Sequence, residues 1–311
     1  MTANLKHLSL AVLLAGLPFA ALPLDVQARD TAKPAVQQQA AVTVLASLPV
    51  TYGLGSLLLD GTSVKLVRAA PENLPATRQP SYFSGRGATS LQKAATKADA
   101  VIGLRSIWSD DPLYPVARRS NIRIVEIDAA HPVDGALPGI AVQGDNVFAG
   151  YPWLNPTNLG RMADVLANDL GRLSPADHEK IQANLAGLKR QLLDLSAASE
   201  AKLAEADNLS VVNLSDRLGY LVGGLNLDLI DHPQVADDQW TAEQLKQLGD
   251  ELKGQDVALV LHHKQPVQAV VEVIAASGAR LVVVDTDAPD SVSGLKAGVE
   301  QVVGALAAGK S

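Results

Sequence analysis

The chain has 311 residues, 47% of them apolar and only 4% aromatic, enough for two hydrophobic cores built of aliphatic side chains. Its formal charge is −7, which excludes the basic footprint of a nucleic-acid binder. There is no cysteine, so disulfides, thiolate metal sites and cysteine nucleophiles are all excluded, and any metal must be held through nitrogen and oxygen.

The first segment reads as a secretory signal over residues 1–28. Lys6 supplies the positive start, residues 8–22 the apolar stretch, and Val26-Gln27-Ala28 a small-residue cleavage site. Pro18 and Pro23 interrupt the apolar run, which is short for a bilayer, so export and cleavage are expected rather than a membrane anchor. No later stretch is predicted to span a membrane in the mature form. Cleavage removes one Lys and one Asp together, leaving the net charge at −7. Residues 29–41 are polar and aperiodic and predict a flexible lead-in.

Short β-branched runs then recur at 42–47 (VTVLAS), 64–70 (VKLVRAA), 100–104 (AVIGL) and 122–128 (IRIVEID). They are apolar on both faces, which predicts parallel strands covered by helices on each side. The same pattern returns at 209–215, 225–231, 257–263 and 280–286. Between the two sets lies residues 174–206, where Ile181, Leu185, Leu188, Leu192 and Leu195 repeat at helical spacing after a Ser174-Pro175 start. At about 1.5 Å per residue such a helix would run over 40 Å.

The predicted fold is therefore α/β: an N-terminal lobe over 42–173, a linking helix over 174–206 and a C-terminal lobe over 207–311. Each lobe carries a parallel four-stranded sheet. Two lobes on a stiff rod leave a cleft, and ligands of open parallel sheets sit beyond the carboxyl ends of the strands. Those ends carry Ser215, Asp216, His262, His263, Asp285 and Asp287.

Several local sequences in this order resemble the periplasmic solute-binding proteins that feed zinc, manganese or iron to ABC importers. The H-x-W-L-(D/S)-P segment of that family, which supplies a metal-binding histidine, corresponds to Tyr151-Pro-Trp-Leu-Asn-Pro156. Its H-D-x-x-G-Y segment corresponds to Ser215-Asp216-Arg217-Leu218-Gly219-Tyr220, its E-P-Q core to His263-Lys264-Gln265, and its final aspartate to Asp285. The P-H-x-Y segment of the first lobe falls near Pro80-Ser81-Tyr82-Phe83. The resemblance implies an exported binding protein that is not an enzyme, with an ABC permease as partner and a transition metal (Fe, Zn or Mn) or a metal chelate as cargo. Three of the family's histidines are replaced.

The implied ligand-binding set is Tyr82, Tyr151, Ser215, Asp216, His263 and Asp285, with Tyr151 and Asp285 as metal ligands. Three readings of Tyr151 stand side by side. As a phenolate, with Tyr82 and Asp285, it would form a hard oxygen site suited to Fe³⁺. As a flat amphipathic surface beside Trp153, with Arg86, Arg217 and His263 meeting anionic groups, it would suit a metal chelate such as an iron-siderophore. As a half-buried structural tyrosine, it would leave a chain that has lost direct metal binding and docks on another periplasmic metal-binding protein. No phosphate loop, nucleophile elbow or H-E-x-x-H helix occurs.

Overall fold

The computed structural model describes residues 41–132, 135, 137–143 and 149–309. The predicted signal peptide and all but the last residue of the lead-in lie outside the described residues. Residues 41–309 belong to one compact unit.

In the first lobe, β1 (Thr43–Ala46), β2 (Lys65–Arg68), β3 (Ala100–Gly103) and β4 (Val125–Asp128) pair in parallel in the order β2-β1-β3-β4. The second lobe repeats this with β5 (Ser210–Asn213), β6 (Asp228–Ile230), β7 (Leu259–His262) and β8 (Arg280–Val283) in the order β6-β5-β7-β8. Every expected strand is present, but each is only three or four residues long. The apolar runs overshoot the strands, and several of the extra residues, such as Leu104, Leu214 and Val284, still pack in the core.

Side-chain alternation divides the core. Val44, Ala46, Ala100 and Ile102 face a cluster that continues through the linking helices into Val211, Leu259 and Leu261 of the second sheet. Leu45 and Val101 face a separate cluster under α2 (Gln79–Ser84), α3 (Ala88–Ala95) and α4 (Leu113–Arg118). On the outer side of the second sheet, Val212 and Val260 pack with α8 (Ala242–Gly254) and α9 (Gln268–Ser277). The two lobes thus share one core on their inner faces.

That shared core is built on α5 (Pro156–Leu173) and α6 (His178–Leu203). The linking helix begins later than Ser174 predicts, because Pro175–Asp177 forms a 3₁₀ turn before the α-helix. Ser174 donates to Asp177 Oδ2 (2.8 Å) instead of capping, and Asp177 also accepts from the backbone and hydroxyl of Ser63. Over its 26 residues α6 spans roughly 39 Å. It buries Ile181, Leu188, Leu192 and Leu203, while Leu193 stays exposed. Such a narrow stripe suits a strut lying along the outside of a shared core.

The carboxyl ends of both sheets turn to the same side. Helix α1 (Pro49–Leu58) follows β1, α10 (Ser291–Ala307) follows β8, and the two meet at Gly53, where a Cβ would stand 3.4 Å from Asp290 Oδ1. Gly298 lets α10 close onto its own sheet, since a Cβ there would lie 2.9 Å from Val284 Cγ1. Among the described residues no helix is long and apolar enough to cross a membrane.

Candidate functional site

Tyr151, which follows β4 in the chain, lies in the left-handed region at φ 52° and ψ 66°. A bulky residue holds that conformation only where its surroundings impose it, at a cost of about 1–3 kcal/mol. Here the imposing element is the 3₁₀ turn Pro152–Leu154, which drives Trp153 and Leu154 into the shared core. Asn155 then caps α5, its side chain accepting from the backbone N–H groups of Thr157 (2.8 Å) and Asn158 (3.3 Å). The Tyr151 ring is tilted over Trp153, with centroids 4.7 Å apart, so Trp153 is core packing and Tyr151 is displayed on it.

The outer face of Tyr151 meets Arg217, whose guanidinium carbon stands 5.0 Å from the ring centroid. Its hydroxyl donates to Asp287 Oδ1 at 3.4 Å. Burial pushes the phenol above its ordinary value; Arg217 works against this and Asp287 reinforces it. Tyr151 is therefore a protonated hydrogen-bond donor at neutral pH.

The strand ends of the second lobe supply the rest. Arg217 lies in the 3₁₀ turn Asp216–Leu218 after β5, and its Nη1 donates to Thr286 Oγ1 (3.1 Å) and Asp287 Oδ2 (2.7 Å). Asp287 is aimed at it by a local turn in which Asp285 Oδ1 accepts the Asp287 N–H (2.9 Å). Beside Arg217, Ser215 Oγ and His263 Nδ1 share a hydrogen bond of 2.7 Å. Burial, then the positive Arg217, the neighbouring His262 and Lys264, hold His263 down at about 4, so it is neutral across the physiological range. His262 is depressed mainly by burial, and the two imidazoles stack at 4.7 Å. Lys264 is drawn to Asp237 by an ion pair of 2.5 Å.

Tyr151, Ser215 and His263 are thus brought into one cluster around Arg217, and Asp285 reaches it through Asp287. Asp216 is exposed at the start of the turn that carries Arg217. Tyr82 is not brought there. It lies on α2, packs edge-on against Phe83 and joins the core cluster on the opposite face of the first sheet from Tyr151, with Arg86 over its ring. The expectation that Tyr82 or Arg86 joins Tyr151 fails because helical spacing turns that segment toward Phe83 and Leu91. His232, outside this cluster, is buried, hydrogen-bonded to Glu251 (2.6 Å) and stacked on Trp240.

Arg217, Thr286 and Asp287 are the members that residue types alone rank too low. Their signal is positional: Arg217 is the cation of the segment following β5, and Thr286 and Asp287 stand in the turn that Asp285 opens after β8. Among the described residues no three His, Asp or Glu side chains converge as a metal-ligand group. A depression of about 470 Å³ lined by Asp99, Asn121, Arg123 and Val125 lies at the amino ends of the first-lobe strands, away from this cluster.

The family model described as the periplasmic component A of the zinc-uptake complex, ZnuA, matches residues 92–297. The chain belongs to this family. Solved structures agree in fold. A zinc-bound deletion mutant of ZnuA has a TM-score of 0.62 at 22% identity, covering 86% of this chain and 98% of that one. The solute-binding protein FpvC of Pseudomonas aeruginosa, in complex with Mn²⁺, has a TM-score of 0.64 at 20% identity, covering 86% and 98%. The laminin-binding protein Lbp of Streptococcus pyogenes has a TM-score of 0.60 at 16% identity, covering 86% and 100%. No curated protein matches the chain. The ZnuA-family fold accounts for the paired sheets and the strut, whereas the cluster around Arg217 is described by this chain's own residues.

Proposed function

We propose that this ZnuA-family chain is the periplasmic solute-binding component of an ABC importer and that it captures a transition metal already wrapped in an organic chelator. Family membership supports the transport role, and similar proteins are described with zinc and Mn²⁺. The observation that carries the finer reading is Arg217, a guanidinium at the centre of the cluster, flanked by a protonated Tyr151 and a neutral His263. The guanidinium charge is met by the exposed Asp287 through a single nitrogen, so Arg217 can offer further N–H groups to an anionic coat, whereas a guanidinium offers a bare metal ion no ligand atom. Tyr151, rigidly seated on Trp153, adds a flat amphipathic surface for an organic ligand.

In this reading the protein binds and releases without chemistry. Residues 1–28 direct export and are removed, and a permease receives the cargo. The strut and the core shared by both lobes favour small lobe adjustments over wide closure.

The test is a titration of the metal-stripped chain lacking residues 1–28 with Zn²⁺, Mn²⁺, Fe³⁺, ferric citrate and a ferric hydroxamate, followed by the fluorescence of Trp108, Trp153 and Trp240. Saturable binding of a chelate that exceeds binding of the bare ions supports the reading. Tighter binding of bare ions than of every chelate would overturn it. A folded protein silent toward all of them would turn the reading to an accessory role, docking on another periplasmic metal-binding protein.

A further inference from the structure

The ion pair at the centre of the cluster is unequal. Arg217 is fairly enclosed, with 31% of its side chain exposed, and Tyr151 packs along its face. Its partner Asp287 is 69% exposed, on a short turn outside the strand. The pair uses one guanidinium nitrogen and one carboxylate oxygen: Nη1 serves both Asp287 Oδ2 and Thr286 Oγ1. Among the described residues, the second carboxylate oxygen meets the Tyr151 hydroxyl at a long 3.4 Å. A guanidinium binds a carboxylate best through two parallel N–H···O bonds, and this contact leaves that geometry unused. Exposed pairs of this kind are weak.

We infer that Asp287 is a displaceable internal stand-in for a carboxylate of the cargo. On binding, a carboxylate of the metal chelate takes the two-point contact on Arg217 and the Tyr151 hydroxyl, and the Asp287 side chain swings into solvent. Ser215 and His263, already paired and uncharged as a unit, line the same wall without adding a competing charge. The chemical class assigned to the cargo is therefore a carboxylate-bearing metal chelate. This assignment rests on the chelate-capture reading, and it predicts the opposite sign from a role of Asp287 as a direct ligand, in which removing its charge would weaken binding.

The experiment is isothermal titration of the chain lacking residues 1–28 with iron(III) citrate, with ferrioxamine B as a chelate lacking carboxylates, and with Zn²⁺. The variants are Asp287→Asn, Arg217→Met and Arg217→Lys, and thermal melts confirm folding. Removing the internal competitor in Asp287→Asn should tighten iron(III) citrate by about two- to fivefold, the scale of an exposed ion pair. Arg217→Met should weaken it at least about tenfold, and Arg217→Lys should fail to restore it because an ammonium cannot make the forked contact. Ferrioxamine B should not distinguish wild type from Asp287→Asn.

Weaker citrate-chelate binding in Asp287→Asn, or unchanged binding in Arg217→Met, overturns the stand-in role while leaving chelate capture in place. Preference of the wild type for ferrioxamine B over iron(III) citrate overturns the carboxylate assignment in the same way. Failure of every chelate overturns both.

Discussion

Replacing His263 by Asn tests the electrostatics of the cluster directly. The imidazole is held at about 4, against an ordinary 6.5, with burial as the largest cause and Arg217 the next. The unfolded chain takes up a proton at this position as pH falls through 6.5, whereas the folded chain resists until about 4. The stability contributed by a neutral His263 is therefore complete above about pH 7 and is lost as pH drops toward 4. At 1.36 kcal/mol per tenfold change in proton affinity the ceiling is about 3 kcal/mol. The ring is only partly buried, and solvent screening brings this to roughly 1–2 kcal/mol. Urea midpoints at pH 7.5 and pH 4.5 should show wild type losing that much more stability than His263→Asn, although the variant starts lower because its bond to Ser215 is altered. In NMR titrations the His263 Cε1–H resonance of wild type should shift well below pH 6, and in Arg217→Met its midpoint should rise part of the way. Equal losses in wild type and variant, or a His263 midpoint between 6 and 7, would refute the desolvation and charge account.

Three further outcomes concern the frame that seats the cluster. Asn155→Ala removes the cap of α5 just behind Tyr151 and should cost about 1 kcal/mol in chemical denaturation, with Asn155→Ser recovering most of it. Gly298→Ala places a methyl 2.9 Å from Val284 Cγ1 and should destabilise by about 1–3 kcal/mol through a forced separation of α10 from β8, read as a lower urea midpoint with unchanged slope. Asp177, held below its ordinary 3.8 chiefly by the Ser63 hydroxyl and backbone N–H, contributes stability that is present above pH 3.8 and is lost as pH falls below it. Asp177→Asn should flatten this acid limb and speed hydrogen exchange at the Ser63 amide.

The cluster was only partly legible in the residues. Strand-end position, read with the family segments, brought out Ser215, His263 and Asp285, because the ends of buried parallel strands are the places where polar residues escape the core. It placed Tyr151 correctly at the entrance to α5 but gave no hint of its left-handed backbone, which arises from Trp153 and Leu154 being pulled into the core next door. Tyr82 was misplaced because the first-lobe segment carries no strand to fix its side, and the packing of a six-residue helix decided it.

What the sequence determined by itself is the scaffold: repeated apolar, β-branched runs separated by helical stretches point to parallel strands, and the leucine stripe of α6 points to a helix with one packed side. These are local and periodic properties, repeated often enough to survive single substitutions. Which charge sits opposite which was settled by tertiary structure alone. Arg217 and Asp287 are seventy residues apart, and Tyr151 lies a further sixty-six before Arg217, so their meeting depends on how two sheets and a shared core turn their strand ends toward one another. The pairing of one enclosed cation with one loosely held carboxylate is a property of that approach, and no spacing along the chain encodes it.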